Sequence, residues 1–175
     1  MFSMKPLFVC VIAFVYAFTS LAQSTPTADA ILKEARATAA KENKNVMVIF
    51  HASWCGWCRA MDSAMQDPSV QSYFDKHYVI THLTVYEREN KKVLENLGAE
   101  QFLADHDGAD KGIPFWLILD PNGKTLADSQ KAPGKNTGCP TTKEEVAHLL
   151  TVLEKTSTLT TDEKLAVEKR FLRNQ

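Results

Sequence analysis

The sequence predicts an α/β domain: a small mixed β-sheet with helices packed on both of its faces. Three observations carry that expectation. The run VMVIFH (46–51) is apolar, β-branched and unbroken, which suits a strand covered on both sides. Segments of strand and helix character then alternate along the chain. No internal repeat, low-complexity tract or long linker divides the 175 residues, a length that one core can serve.

The first residues predict a leader. Lys5 precedes the apolar run LFVCVIAFVYAF (7–18), and TSLAQ offers Ser20 and Ala22 around a cut after Ala22. That is the pattern of a secretory signal peptide over 1–22, leaving a domain over 23–175. Twelve apolar residues would span about 18 Å as a helix, short of a hydrocarbon core of roughly 30 Å, so no stable membrane insertion is expected after removal. Cys10 follows Val9, where a lipid-attachment cysteine would follow a small residue, and leaves with the leader. The remaining chain carries 19 Lys and Arg against 21 Asp and Glu, and this near-neutrality gives no electrostatic ground for nucleic acid as a partner.

The elements follow in order. PTADAILKEARATAAKENKN repeats Ala30, Ile31, Ala35, Thr38 and Ala39 at helical spacing and predicts a helix over about 26–42. VMVIFH is the buried strand, and it runs directly into SWCGWCR (53–59). CGWCRAMDSAM has helical composition. DPSVQSYFDKHY restarts a helix, with Asp67 as its cap, Pro68 at the first position, and Val70, Tyr73 and Phe74 on one face. YVITHLTVY reads as a strand, ENKKVLENLGAEQFLADH as one or two helices, and FWLILDPNGKTLADS as a hairpin closed at Pro121-Asn122-Gly123. TTKEEVAHLLTVLEK is a helix with Thr141 and Glu144 at capping-box spacing and Val146, Leu149, Leu150 and Leu153 inward. TDEKLAVEKRFLRN closes the chain as a further helix. Phe115 and Trp116 read as core.

Three cysteines remain after the leader: Cys55, Cys58 and Cys139, too few for a disulfide-stapled scaffold. At the first turn of a helix, Cys55 would face unsatisfied N–H groups and the positive end of the helix dipole, which favour thiolate over thiol. Two intervening residues let Cys58 reach Cys55, so a mixed disulfide on Cys55 can be resolved from within. Gly56 keeps the loop small, Trp54 and Trp57 offer flat apolar surface to an extended substrate, and Arg59 adds a positive charge or faces solvent. Other readings of the pair stay open here. They are a soft-metal carrier of copper or zinc using Cys55, Cys58 and His51, a structural disulfide, and a redox-sensing domain that binds a partner. His77, His106 and His148 read as packed or solvated; His51 and His82 are less easily dismissed.

The succession of strand, WCGWC, helix and, much later, GIPFWLILDPNGK resembles the thioredoxin family, over about 46–153, with 156–175 as a C-terminal helical extension. The likeness is greatest to secreted bacterial thioredoxin-like proteins that carry Cys-Gly-Trp-Cys. It implies a thioredoxin fold with an extra C-terminal helix and a thiol–disulfide oxidoreductase of the bacterial cell envelope, periplasmic or secreted. Such a protein reduces or isomerises disulfides with no cofactor and no metal; its partners are disulfide-containing proteins and an upstream thiol electron donor. On this resemblance Cys55 is the exposed nucleophile and Cys58 the resolving thiol. Ile113 and Pro114 fall on the cis-proline position that faces them, and Gly138 and Cys139 on a wall of the substrate groove. Trp57, where strong oxidants of the family carry histidine, implies a reducing or isomerising poise. One departure stands out: Ile49 occupies the position of a buried aspartate that shuttles the Cys58 proton. His82, in the place of a lysine near that aspartate, is the stand-in base, against the alternative that His82 is packed and water serves.

Overall fold

A computed structural model of the chain describes residues 25–173, so the leader expected over 1–22, with Lys5 and Cys10, lies outside the described residues. The elements are α1 (Ala28–Glu42), β1 (Asn45–His51), α2 (Gly56–Met65), α3 (Gln71–His77), β2 (Tyr78–Thr84), a 3₁₀ turn (Glu89–Leu94), α4 (Ala99–Ala104), β3 (Phe115–Leu119), β4 (Thr125–Asp128), α5 (Lys143–Thr156) and α6 (Thr161–Leu172). The sheet order is β2-β1-β3-β4, with β1 and β2 parallel and the other pairs antiparallel. This is the expected mixed sheet, and the parallel pair requires the crossover that α2 and α3 supply.

Side chains alternate across β1, so each face receives its own set. Met47 and Ile49 join Trp116 and Ile118 of β3 under α2, α3, α5 and α6. Val46, Val48 and Phe50 join Phe115, Leu117 and Leu119 under α1 and α4. Residues Val46 to Phe50 have no exposed surface, which is why the run carries no polar alternation.

Two local expectations need correction. The third helix does not start at Pro68: Asp67 accepts hydrogen bonds from the Ser69 N–H and O–H, closing a turn, and α3 begins at Gln71. Val70, Tyr73 and Phe74 are nonetheless all buried as expected. The capping box sits one residue later than its spacing suggested, on Thr142 and Glu145; the Glu145 carboxylate accepts from the N–H groups of both Thr141 and Thr142 at 3.0 Å. The segment 89–106, expected as one or two helices, forms two helical pieces, the 3₁₀ turn and α4. Asn96 accepts the Thr84 N–H at 2.7 Å and Gly98 takes φ +89°, so the chain is drawn onto the end of β2 before α4 can begin.

The C-terminal helix is part of the core. Val167 and Phe171 of α6 are fully buried, and the Phe171 ring lies 6.3 Å from that of Phe74. At the rim, Arg170 and Arg173 reach Asp67 at 2.9 and 3.1 Å. The bonds from Ser69, with the two arginines adding, hold the Asp67 carboxyl at a pKa of about 2. Removing the Phe171 ring should therefore act as a core deletion: Phe171→Ala is expected to lower unfolding free energy by about 3–5 kcal/mol in denaturant titration. A loss below about 1 kcal/mol would mean that α6 is only an appendage.

Candidate functional site

β1 ends at His51, and four residues later the chain enters α2 with Cys55 as its N-cap. Cys55 and Cys58 form a disulfide, and the Cys58 N–H donates to Cys55 Sγ at 3.1 Å. Helix start and sulfur thus coincide, as the spacing predicted. The sequence-based expectation of an exposed Cys55 is not met in this oxidised state. Cys55 is 3% exposed and packs with Ala52, Cys58 and Ile113, while Trp54 and Trp57 beside it are 44% and 54% exposed. A Cβ on Gly56 would meet only the Arg59 guanidinium, at 3.9 Å, so the surface at Gly56 itself is open.

Opposite the disulfide stands the Ile113–Pro114 peptide, which is cis, with the Ile113 carbonyl oxygen 3.7 Å from Cys55 Sγ. Trp57, Ile113, Pro114, Gly138 and Cys139 line one cleft of about 250 Å³. Cys139 is not in the disulfide, is 6% exposed and forms part of that wall. Gly138 has φ +59°, where glycine is favoured, and a Cβ there would sit 3.7 Å from the Pro114 carbonyl. The wall and the proline loop are tied by Asn136, whose Nδ2 lies 3.0–3.1 Å from the carbonyls of Lys111, Gly112 and Pro114, while its Oδ1 accepts the Gly138 N–H. The loop that carries Asn136 is closed at its base by the Gln130–Asn136 bridge and by Thr137 N–H to Ser129 O at 2.8 Å.

A second grip, which sequence reasoning missed, comes from beyond β2. Glu87, 4% exposed, accepts the Ser53 N–H on one carboxylate oxygen and the Ser53 O–H at 2.9 Å on the other. The Trp54 indole N–H donates to Tyr86 O at 2.8 Å, and Tyr86 holds φ +55° to present it. Arg59, rather than facing solvent alone, donates to Ser53 O at 3.1 Å. Burial pushes the Glu87 carboxyl up, but the Ser53 bonds, Lys91 and His51 reverse this and leave it below the ordinary carboxylate range. The only visible signal was an acid shortly after a strand, which is no signal by itself.

On the α2 side of the sheet, His82 pairs in register with Ile49 and its Nε2 lies 2.8 Å from Asp62 Oδ1. Asp62 stands one turn beyond Cys58 on the same side of α2. The His51 ring lies 4.9 Å from that of His82, and His51 Nε2 is 3.1 Å from Thr84 Oγ1. His82 is therefore a half-buried, hydrogen-bonded side chain rather than a simply packed one. Among the described residues, no group of three or more His, Cys, Asp or Glu is arranged to hold a metal ion. Among the same residues, no helix is long and apolar enough to cross a membrane.

A family model described as thioredoxin-like matches residues 27–121, from the N-cap of α1 to the β3–β4 turn. Among solved structures, a disulphide isomerase from Xylella fastidiosa Temecula1 is similar at 20% identity, over 81% of this chain and 86% of that one, with a TM-score of 0.49. A thioredoxin from Thermus thermophilus shares 17% identity over 75% and 87%, with a TM-score of 0.44. The C-terminal domain of Neisseria meningitidis DsbD, in its oxidised form, shares 20% over 59% and 84%, with a TM-score of 0.40.

Burial, and then the neighbouring His82, push the His51 pKa below its ordinary 6.5, against the opposing pull of Asp62 and Glu87. The unfolded chain then binds a proton at His51 before the folded one does, so stability falls as pH drops through 6.5 toward the lower folded value. His51→Asn should flatten the slope of unfolding free energy against pH between about 7 and 5, leaving the share that belongs to His77, which burial also lowers. Identical slopes in the two proteins would show that His51 is not desolvated.

Proposed function

Since the chain belongs to the thioredoxin-like family, we propose that it is a thiol–disulfide oxidoreductase that reduces or isomerises protein disulfides through Cys55 and Cys58. The observation that carries this reading is the Cys58 N–H aimed at Cys55 Sγ at the start of α2. After reduction, that donor and the helix terminus favour a Cys55 thiolate. The thiolate attacks a substrate disulfide, forming a Cys55–substrate bond and expelling one substrate thiolate. Cys58 then loses its proton and attacks Cys55 Sγ, which restores the internal disulfide and releases the second substrate thiolate. Two electrons have passed to the substrate, and an upstream dithiol must return them.

The substrate lies across Trp54, Gly56 and Trp57, with Ile113, Pro114 and Cys139 as the facing wall. Support comes from the exposure of both indoles and from the shared cleft. Asp62 and His82 take the proton of Cys58: they are hydrogen-bonded to each other, and Asp62 follows Cys58 by one turn. The setting is the cell envelope, periplasmic or secreted, which rests on the leader-like sequence over 1–22.

Three outcomes are expected. Cys58→Ser should leave partner proteins covalently attached to Cys55 and released by reductant, and an absence of such adducts in the native host would remove the reading. The pair should equilibrate with glutathione nearer the thioredoxin end of the scale, and a potential above about −150 mV would reverse the direction proposed. His82→Ala should slow Cys58 attack on a preformed mixed disulfide between about pH 6 and 8; an unchanged rate and profile would leave water as the base.

A further inference from the structure

Glu87 is a nearly buried carboxylate that the exchange steps do not use. Its partners are the N–H and the O–H of Ser53, two residues before the nucleophile. Other polar groups of that short segment are occupied as well. Arg59 donates to Ser53 O, Lys91 Nζ lies 3.3 Å from Ser53 Oγ, and the Trp54 indole N–H meets Tyr86 O. Glu87 is itself held in place, since its N–H donates to Glu95 at 2.7 Å and Glu95 is paired with Lys92. The charged groups around it are therefore Lys91, Arg59, His51 and Glu95.

Resting on the exchange reaction proposed above, we infer that Glu87 is a positioning residue that sets the redox poise of the Cys55–Cys58 pair. It fixes the segment that carries the nucleophile and holds a negative charge beside it. Ser53 and Cys55 are at most about 7 Å apart along the chain and the Glu87 carboxylate lies against Ser53, so the charge stands on the order of a Debye length from Cys55 and, being nearly buried, is screened less than an exposed one. A carboxylate there opposes the helix terminus: it disfavours the Cys55 thiolate, destabilises the reduced form and makes the pair more reducing. The lysine on Ser53 Oγ offsets part of that charge.

The test is equilibration of the full chain with glutathione. Two glutathione thiols give two electrons and two protons to the Cys55–Cys58 disulfide, yielding two protein thiols and one glutathione disulfide. Glu87→Gln keeps the shape and removes the charge. It should shift the equilibrium roughly threefold or more toward the dithiol, where tenfold corresponds to about 30 mV, and lower the Cys55 pKa read by thiolate absorbance. The exposed Lys91→Met should move both readouts the other way. A purely structural role would change the denaturation midpoint and neither of these. An equilibrium within about twofold of wild type in Glu87→Gln overturns the inference; if that variant does not fold, an unmoved Lys91→Met does so. A wild-type pair that does not equilibrate with glutathione at all defeats the proposed function instead.

Discussion

The site depends on the burial of one strand. Residues Val46 to Phe50 have no exposed surface because helices cover both faces of the sheet and β2 and β3 occupy both edges of β1. A strand enclosed in this way has no freedom of register: a slip by one residue would exchange the Met47–Ile49 set with the Val46–Val48–Phe50 set across the sheet. Its end is therefore a fixed point, and the four residues after it place the first turn of α2 and the Cys55 sulfur at that point. The placement of the pair thus follows from the strand's enclosure.

What was legible in the sequence followed this hierarchy. The unbroken apolar run, the hairpin turn and the apolar face of α5 are local signals of the kind a packed core obeys. The errors came where a polar side chain diverted the backbone. Asp67 turned its carboxylate to Ser69, and Glu145 took Thr142 rather than Thr141 as its partner in the capping box. These outcomes are decided by which hydrogen-bond partner is within reach after folding, and spacing alone does not specify that.

The same distinction divides the site. Cys55, Cys58, Pro114 and Gly138 could be read from motif and order. Glu87, Tyr86, Asp62 and Asn136 could not, because each acts on a segment distant in sequence: Glu87 lies 34 residues from Ser53, and Asn136 reaches back 22 residues to Pro114. His82 stood between these cases. Its position was noticed, but its hydrogen bond to Asp62 emerged only when α2 was laid over β2.

The tie made by Asn136 bears on how such a protein can diversify. The segment that carries it is pinched at the neck by the Gln130–Asn136 bridge and by Ser129 with Thr137, and beyond the neck Ala132 to Lys135 lie on the surface. Everything the cleft requires is on the near side of that pinch. The tip approaches the proline loop only through Lys111, beside Gly134, so lineages can lengthen, shorten or recharge it and alter which surfaces approach the cleft while Asn136 keeps the sulfur's surroundings in place.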